Sequence, residues 1–167
     1  MIPATPGDAP TLAALINQAY RGLATPQSWT TEAHLLEGPR ISETQLADLL
    51  QGAGTMLKHL DASGKLTGCV YVQPQGPRLY LSTLAVAPTA QARGVGHHLL
   101  AHAEAYARQH GCPRIAISVL SARPELLAWY ERHGYRRTGQ REAFPDTTDF
   151  GRPRQPLELL TLEKALV

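Results

Sequence analysis

The chain has 167 residues, enough for one domain with a sizeable core. With 43% hydrophobic and 18% charged residues it is not a disordered chain, and a formal net charge of +2 excludes an electrostatic footprint for nucleic acid or a membrane surface. No apolar run is long enough for a bilayer, MIPATPGDAP lacks a signal-peptide pattern, and Cys69 and Cys112 belong to no CxxC motif, so a cytoplasmic protein with two unpaired thiols is expected.

Leu12, Leu15, Ile16 and Tyr20 recur at helical spacing behind Asp8, which predicts a helix from about Pro10 to Arg21. The segment Gly22 to Ile41 is irregular, with a short helical piece expected at Glu32 to Leu36. Ser42 and Gln45 form a capping-box pattern that opens the helix ETQLADLLQ, and Gly52 closes it. TMLKHL and KLTGCVYVQP flank the turn signal Asp61 to Gly64 and read as paired strands. RLYLSTLAVAP, after Gly76 and Pro77, reads as a third and longer strand.

A long helix is expected from about Val95 to His110, stopped by Gly111 and Pro113. RIAISVL is a buried strand by its β-branched content, and Pro124 then opens the helix PELLAWYERH. YRRTGQREAF and LELLTLEKAL are the last two strands, joined by the loop PDTTDFGRPRQP. This order describes one α+β (mixed α/β) domain over residues 1–167, without a repeat or a linker.

The stretch Gln91-Ala92-Arg93-Gly94-Val95-Gly96 lies between a strand and a helix. Such a junction gathers unpaired backbone N–H groups at the positive end of the helix dipole, and glycines let a ligand approach the backbone. It is an anion site suited to a phosphate or pyrophosphate, with Arg93 able to add a charge-assisted contact. A tight strand-to-helix connection is the structural alternative, and neither the Walker nor the dinucleotide fingerprint is present.

The run from LAVAP through QARGVG to HHLLAHAEAYARQHG resembles the Gln/Arg-x-x-Gly-x-Gly/Ala pyrophosphate signature of the GNAT superfamily of acyl-CoA-dependent N-acyltransferases. LLAWYERHGYRRTG resembles that family's second signature, a helix with a Tyr ahead of Gly-Tyr/Phe, and the order of elements agrees over the whole chain. The resemblance implies a GNAT fold, with a central, mostly antiparallel sheet of six to seven strands and about four helices. It also implies acetyl-CoA as acetyl donor. Leu84, Ala85 and Val86 would lie along the pantetheine arm in a gap between two splayed strands, with the Leu84 N–H facing the thioester carbonyl. Gln91, Ala92, Arg93, Gly94, Val95, Gly96 and His97 would wrap the pyrophosphate. Tyr130 falls where the family has the acid for the departing thiolate, while its spacing with Leu126 and Leu127 equally suits a core aromatic. Arg123 stands where relatives often carry a cofactor-contacting Asn, so that contact is not carried over.

The general base is not evident. The central strands offer Ser82, Thr83 and Ser118 but no carboxylate, which leaves a water relay through these hydroxyls or a base among Glu32, His34 and Glu142. The acceptor pocket is expected between WTTEAHLLEGPR and FPDTTDFGRPRQP, which present Trp29, Glu32, His34, Arg40, Phe144, Asp146, Arg152 and Arg154. With Ser118, the residues Glu32, His34, Arg40 and Phe144 are the expected acceptor contacts. The mixture suggests a small polar amine, with Arg40 suited to a carboxylate on it.

His98 and His102 face solvent by helical phase, and two histidines without a third ligand give no metal site. The expected activity is N-acetyl transfer to a primary amine by direct attack in a ternary complex. A protein or peptide amine as acceptor, and a non-catalytic acyl-CoA-binding module, are the competing readings. LELLTLEKAL is the kind of strand that meets a partner's edge, so a homodimer is one expected assembly.

Overall fold

A computed structural model describes residues 1–22 and 30–167. In chain order the elements are β1 (Ile2–Pro3), α1 (Ala9–Arg21), β2 (Leu36–Glu37), α2 (Glu43–Leu50), β3 (Thr55–Leu60), β4 (Leu66–Gln75) and β5 (Arg78–Val86). They continue with α3 (Val95–Gln109), β6 (Arg114–Leu120), α4 (Pro124–Arg132), β7 (Arg136–Ala143), β8 (Arg152–Pro153) and β9 (Glu158–Ala165). A seven-stranded sheet runs in the order β1-β3-β4-β5-β6-β9-β7. All its neighbours are antiparallel except the parallel pair β5–β6.

The centre of the sheet is covered on both faces, since every residue from Thr67 to Val72 is buried. Helices α1 and α3 both pack on β4 and β5. Helix α1 contributes Leu12, Leu15 and Ile16, and α3 contributes Leu99, Leu100 and Ala103, all within the main core. Burying each such leucine or isoleucine is worth roughly 1.5–3 kcal/mol. The capping box of α2 forms as expected, with Ser42 Oγ accepting from the Gln45 N–H at 3.1 Å and Gln45 Oε1 accepting from the Ser42 N–H at 2.7 Å.

Three expectations are corrected. Residues Glu32 to Leu36 do not form a helix. One turn closes, with the Leu35 and Leu36 N–H groups donating to the Glu32 carbonyl, and the chain then extends into β2. Its two leucines join Leu120 and Leu157 in a second small core, which an extended chain lets them reach. The loop PDTTDFGRPRQP contains β8, which pairs with β2. LELLTLEKAL is not an edge. Strand β9 lies between β6 and β7, and the edge is β7, whose residues are all exposed.

Candidate active site

Strands β5 and β6 pair only from Arg78–Arg114 to Leu81–Ile117, and beyond that point they separate. A bulge in β5 accompanies the separation. Cys69 faces Ala85 and Tyr71 faces Ser82, so Val70 alone stands opposite both Thr83 and Leu84. Thr83 takes a left-handed φ of 49°, a conformation that costs a β-branched residue about 1–3 kcal/mol and that the surrounding sheet must hold. Tyr20, at the end of α1, fastens the bulge by donating to the Leu84 carbonyl at 3.1 Å.

The chain leaves β5 and turns into α3 through residues 91–94. Ala92 and Gly94 have φ of 61° and 81°, and Gly94 is the N-cap of α3. No side chain caps this helix start, and its first turn carries no acidic residue. The first amides of α3 therefore have no side-chain acceptor among the described residues, and an open helix start of this kind fits a pyrophosphate. Gln91 donates from Nε2 to the Val86 carbonyl at 3.2 Å, holding the turn against the end of β5. The two glycines differ in what they provide. Gly94 supplies the left-handed backbone, with open space where a Cβ would stand. Gly96 supplies room, because a Cβ there would lie 3.1 Å from Cζ2 of Trp129.

Helix α4 follows β6 directly and brings Trp129 and Tyr130 to the gap. A cavity of about 250 Å³ runs beside Leu84, Ala85, Val86, Gln91, Ala92, Gly94, Gly96 and His97. A second, of about 570 Å³, lies over Ser82, Thr83 and Ser118. Tyr20, Arg123, Leu126 and Tyr130 line both cavities, so Tyr130 stands in the wall where they adjoin. Its ring meets Trp129 and Tyr135 edge-on, with centroids 4.9 and 5.5 Å away. Burial first, then the Tyr20 and Tyr135 hydroxyls, hold the Tyr130 phenol well above the ordinary 10.0, with Arg123 opposing them. The group thus keeps its proton at any physiological pH.

An acetyltransferase (GNAT) family model matches residues 17–135, which span the bulge, the turn and Tyr130. The chain belongs to the GNAT acetyltransferase family. GNAT enzymes generally take acetyl-CoA as their donor. Among solved structures, smu.2055 from Streptococcus mutans is 18% identical with a TM-score of 0.74, over 99% of this chain and 98% of that one. A ribosomal-protein-alanine N-acetyltransferase from Brucella melitensis is 21% identical with a TM-score of 0.70, over 99% and 98%. A spermidine N-acetyltransferase chimera from Vibrio cholerae is 17% identical with a TM-score of 0.69, over 99% and 93%. These likenesses show the GNAT fold, and no curated protein matches the chain.

The structure places the expected residues of this GNAT chain in two groups. Arg93 is exposed at the turn, and Val95 is buried beneath it. On the acceptor side Arg40, Ser118, Phe144 and Glu32 line the larger cavity. His34 and Glu142 are exposed and line neither of these two cavities. Asp146, Arg152 and Arg154 are likewise exposed and away from these cavities. Trp29 lies outside the described residues.

Glu32, a candidate base by sequence, is held in an ion-pair network. It is buried, with Oε2 2.6 Å from Arg21 Nη1 and Oε1 3.0 Å from Arg123 Nη1. Each carboxylate oxygen is thus engaged by an arginine. Arg123 also donates to Thr30 Oγ1, and the Arg21 guanidinium donates to the Phe150 carbonyl. Sequence reasoning missed Tyr20, Trp129 and Phe150 as site residues. Tyr20 reads as one more apolar position of α1, and only the fold shows its hydroxyl against the bulge. His98 and His102 are exposed, and no cluster of three metal-binding side chains occurs among the described residues. Among the described residues no helix is long and apolar enough to cross a membrane.

Proposed function

We propose that the protein acetylates the primary amine of a small polar molecule, by direct attack of the amine in a ternary complex. The observation that carries this reading is the meeting of two cavities at Tyr130, one beside the glycine turn and one over the hydroxyls of β5 and β6. Acetyl-CoA, when bound, supplies the acetyl group as an activated thioester. Residues 91–97 wrap its pyrophosphate, and Leu84, Ala85 and Val86 line the arm. The Leu84 N–H, at the bulge, faces the acetyl carbonyl and supports the charge that develops there, a contribution of about 3 kcal/mol in comparable acyl-transfer sites.

The amine enters from the larger cavity. Its nitrogen bonds to the acetyl carbon as the carbon–sulfur bond breaks, and the Tyr130 hydroxyl gives its proton to the departing sulfur. The amine's own proton leaves through Ser82, Thr83 and Ser118 to solvent, and solvent returns a proton to the Tyr130 phenolate, since Glu32, the buried carboxylate among the described lining residues, is held by Arg21 and Arg123. A phenol held above 10.0 is a reluctant donor to a thiolate whose acid has a pKa of about 8.5, so its fixed position must offset the mismatch.

Two independent readouts test this. Calorimetric titration with acetyl-CoA is expected to give micromolar binding, and thiol release is expected to require an added amine. Absence of binding at millimolar acetyl-CoA would overturn the reading. Binding without amine-dependent thiol release would instead favour an acyl-CoA-binding module.

A further inference from the structure

We infer that the acceptor is an amine that also carries a carboxylate, and that Arg40 is the residue that binds it. The inference rests on the acetyltransferase reading and names the substrate class of the same site. The guanidinium carbon of Arg40 lies over two aromatic rings, 5.3 Å from the centroid of Tyr20 and 5.0 Å from that of Phe150. It has no carboxylate partner and makes no side-chain hydrogen bond among the described residues. These cation–π contacts hold the charge in place but leave the N–H donors of the fork unmatched. Those donors face a cavity wall, since Arg40 lines the larger cavity together with Ser118, Thr83 and Tyr130.

The backbone beneath Arg40 is fixed as well. Asn17 on α1 accepts from the Arg40 and Ile41 N–H groups at 2.7 and 3.1 Å and donates to the Ile41 carbonyl at 2.8 Å. A half-buried cation that is held over two rings, anchored and unpaired is pre-organised for a planar anion, which a carboxylate supplies bidentately.

The charge around it agrees. Glu32 is already shared by Arg21 and Arg123, so the only buried carboxylate of the lining is neutralised. Asp48 and Asp149 line the same cavity but are exposed, at its mouth. An amino acid or similar zwitterion satisfies both regions, with the carboxylate on Arg40 and the ammonium drawn in past the aspartates before it loses its proton. A polyamine satisfies only the mouth and places cations against Arg40.

The test is a thiol-release panel of matched acceptors on the full chain: 4-aminobutyrate against 4-amino-1-butanol, L-alanine against isopropylamine, and spermidine. The acid-bearing member of each pair is expected to show kcat/KM about 10- to 100-fold above its partner, and spermidine is expected to fall with the carboxylate-free amines. In Arg40→Gln the preference within each pair collapses, chiefly through KM, because the lost contact is remote from the reacting atoms. Arg40→Lys, which keeps the charge and loses the fork, is expected to retain part of it. Equal or better turnover of the carboxylate-free amines or of spermidine by the unmodified protein overturns the assignment while leaving acetyl transfer standing. So does an Arg40→Gln variant that keeps the full preference. Thiol release with no member of the panel overturns both readings.

Discussion

Gly94 and Gly96 stand two residues apart and answer different demands. At Gly94 the backbone is left-handed, with nothing near the position of a Cβ, so Gly94→Ala introduces only conformational strain. A loss of about 1–2 kcal/mol in urea unfolding is expected. At Gly96 the obstacle is Trp129, and a side chain there pushes the indole into the donor cavity. Gly96→Leu is expected to weaken acetyl-CoA binding by at least about tenfold in calorimetry, or 1.4 kcal/mol. An unchanged affinity would place the ligand elsewhere. Tyr130 adds a pH signature. Because burial raises its phenol well above 10.0, it stays protonated while the substrate amine loses its proton. The profile of kcat/KM is expected to rise with amine deprotonation and to show no falling limb below about pH 10. A descending limb near neutrality would mean that the acid is another group.

Between elements, the site depends on a buried ion triad. Glu32, from the turn ahead of β2, ties Arg21 at the end of α1 to Arg123 at the start of α4. Removing the carboxylate leaves Arg21 without an ion-pair partner among the described residues and Arg123 with only Glu125, 3.6 Å from its Nε, while the Nε atoms of both arginines already lack hydrogen-bond partners. Glu32→Gln is expected to destabilise the fold by about 3–5 kcal/mol in chemical denaturation. A loss below about 1 kcal/mol would show that the triad is solvated. The sequence made the elements legible and left this junction hidden, for physical reasons. Helix α3 and strands β3 to β6 carry their own periodicity and their own stop signals. The two leucines of Leu35–Leu36 fit a helix as well as a strand, and only pairing with β8 and packing on Leu120 decide between them. The glycine turn and Tyr130 could be located because local chemistry needs those residue types at that spacing. Glu32 was misplaced because its partners are 11 and 91 residues away, where no local pattern reaches. Tyr20 was missed for the same reason, its hydroxyl bond spanning 64 residues.

For the molecule as a whole, buried acids that are neutral in the native state set an alkaline limit. Burial pushes the Cys69 thiol from 9.0 to about 12 and the Tyr20 phenol from 10.0 to about 12. Above their ordinary values these groups ionise in the unfolded chain while the folded chain keeps their protons. Stability is therefore complete below about pH 9 and falls as pH rises towards about 12. Urea midpoints measured from about pH 8 to about pH 10.5 are expected to decline, and Cys69→Ala or Tyr20→Phe is expected to flatten the slope. A slope that neither substitution alters would assign the alkaline loss to other groups.

If acetyl transfer occurs where the two cavities meet at Tyr130, Tyr130→Phe removes the acid of the reaction. The Tyr130 hydroxyl has no hydrogen-bond partner among the described residues, so phenylalanine fits the same space and leaves no polar group unsatisfied. Steady-state thiol release with the preferred amine, measured beside calorimetric binding of acetyl-CoA, separates chemistry from binding. A fall in kcat of about 100-fold with the acetyl-CoA Kd unchanged is the predicted result. An unaltered kcat would contradict the account, because the proton for the departing sulfur would then come from elsewhere.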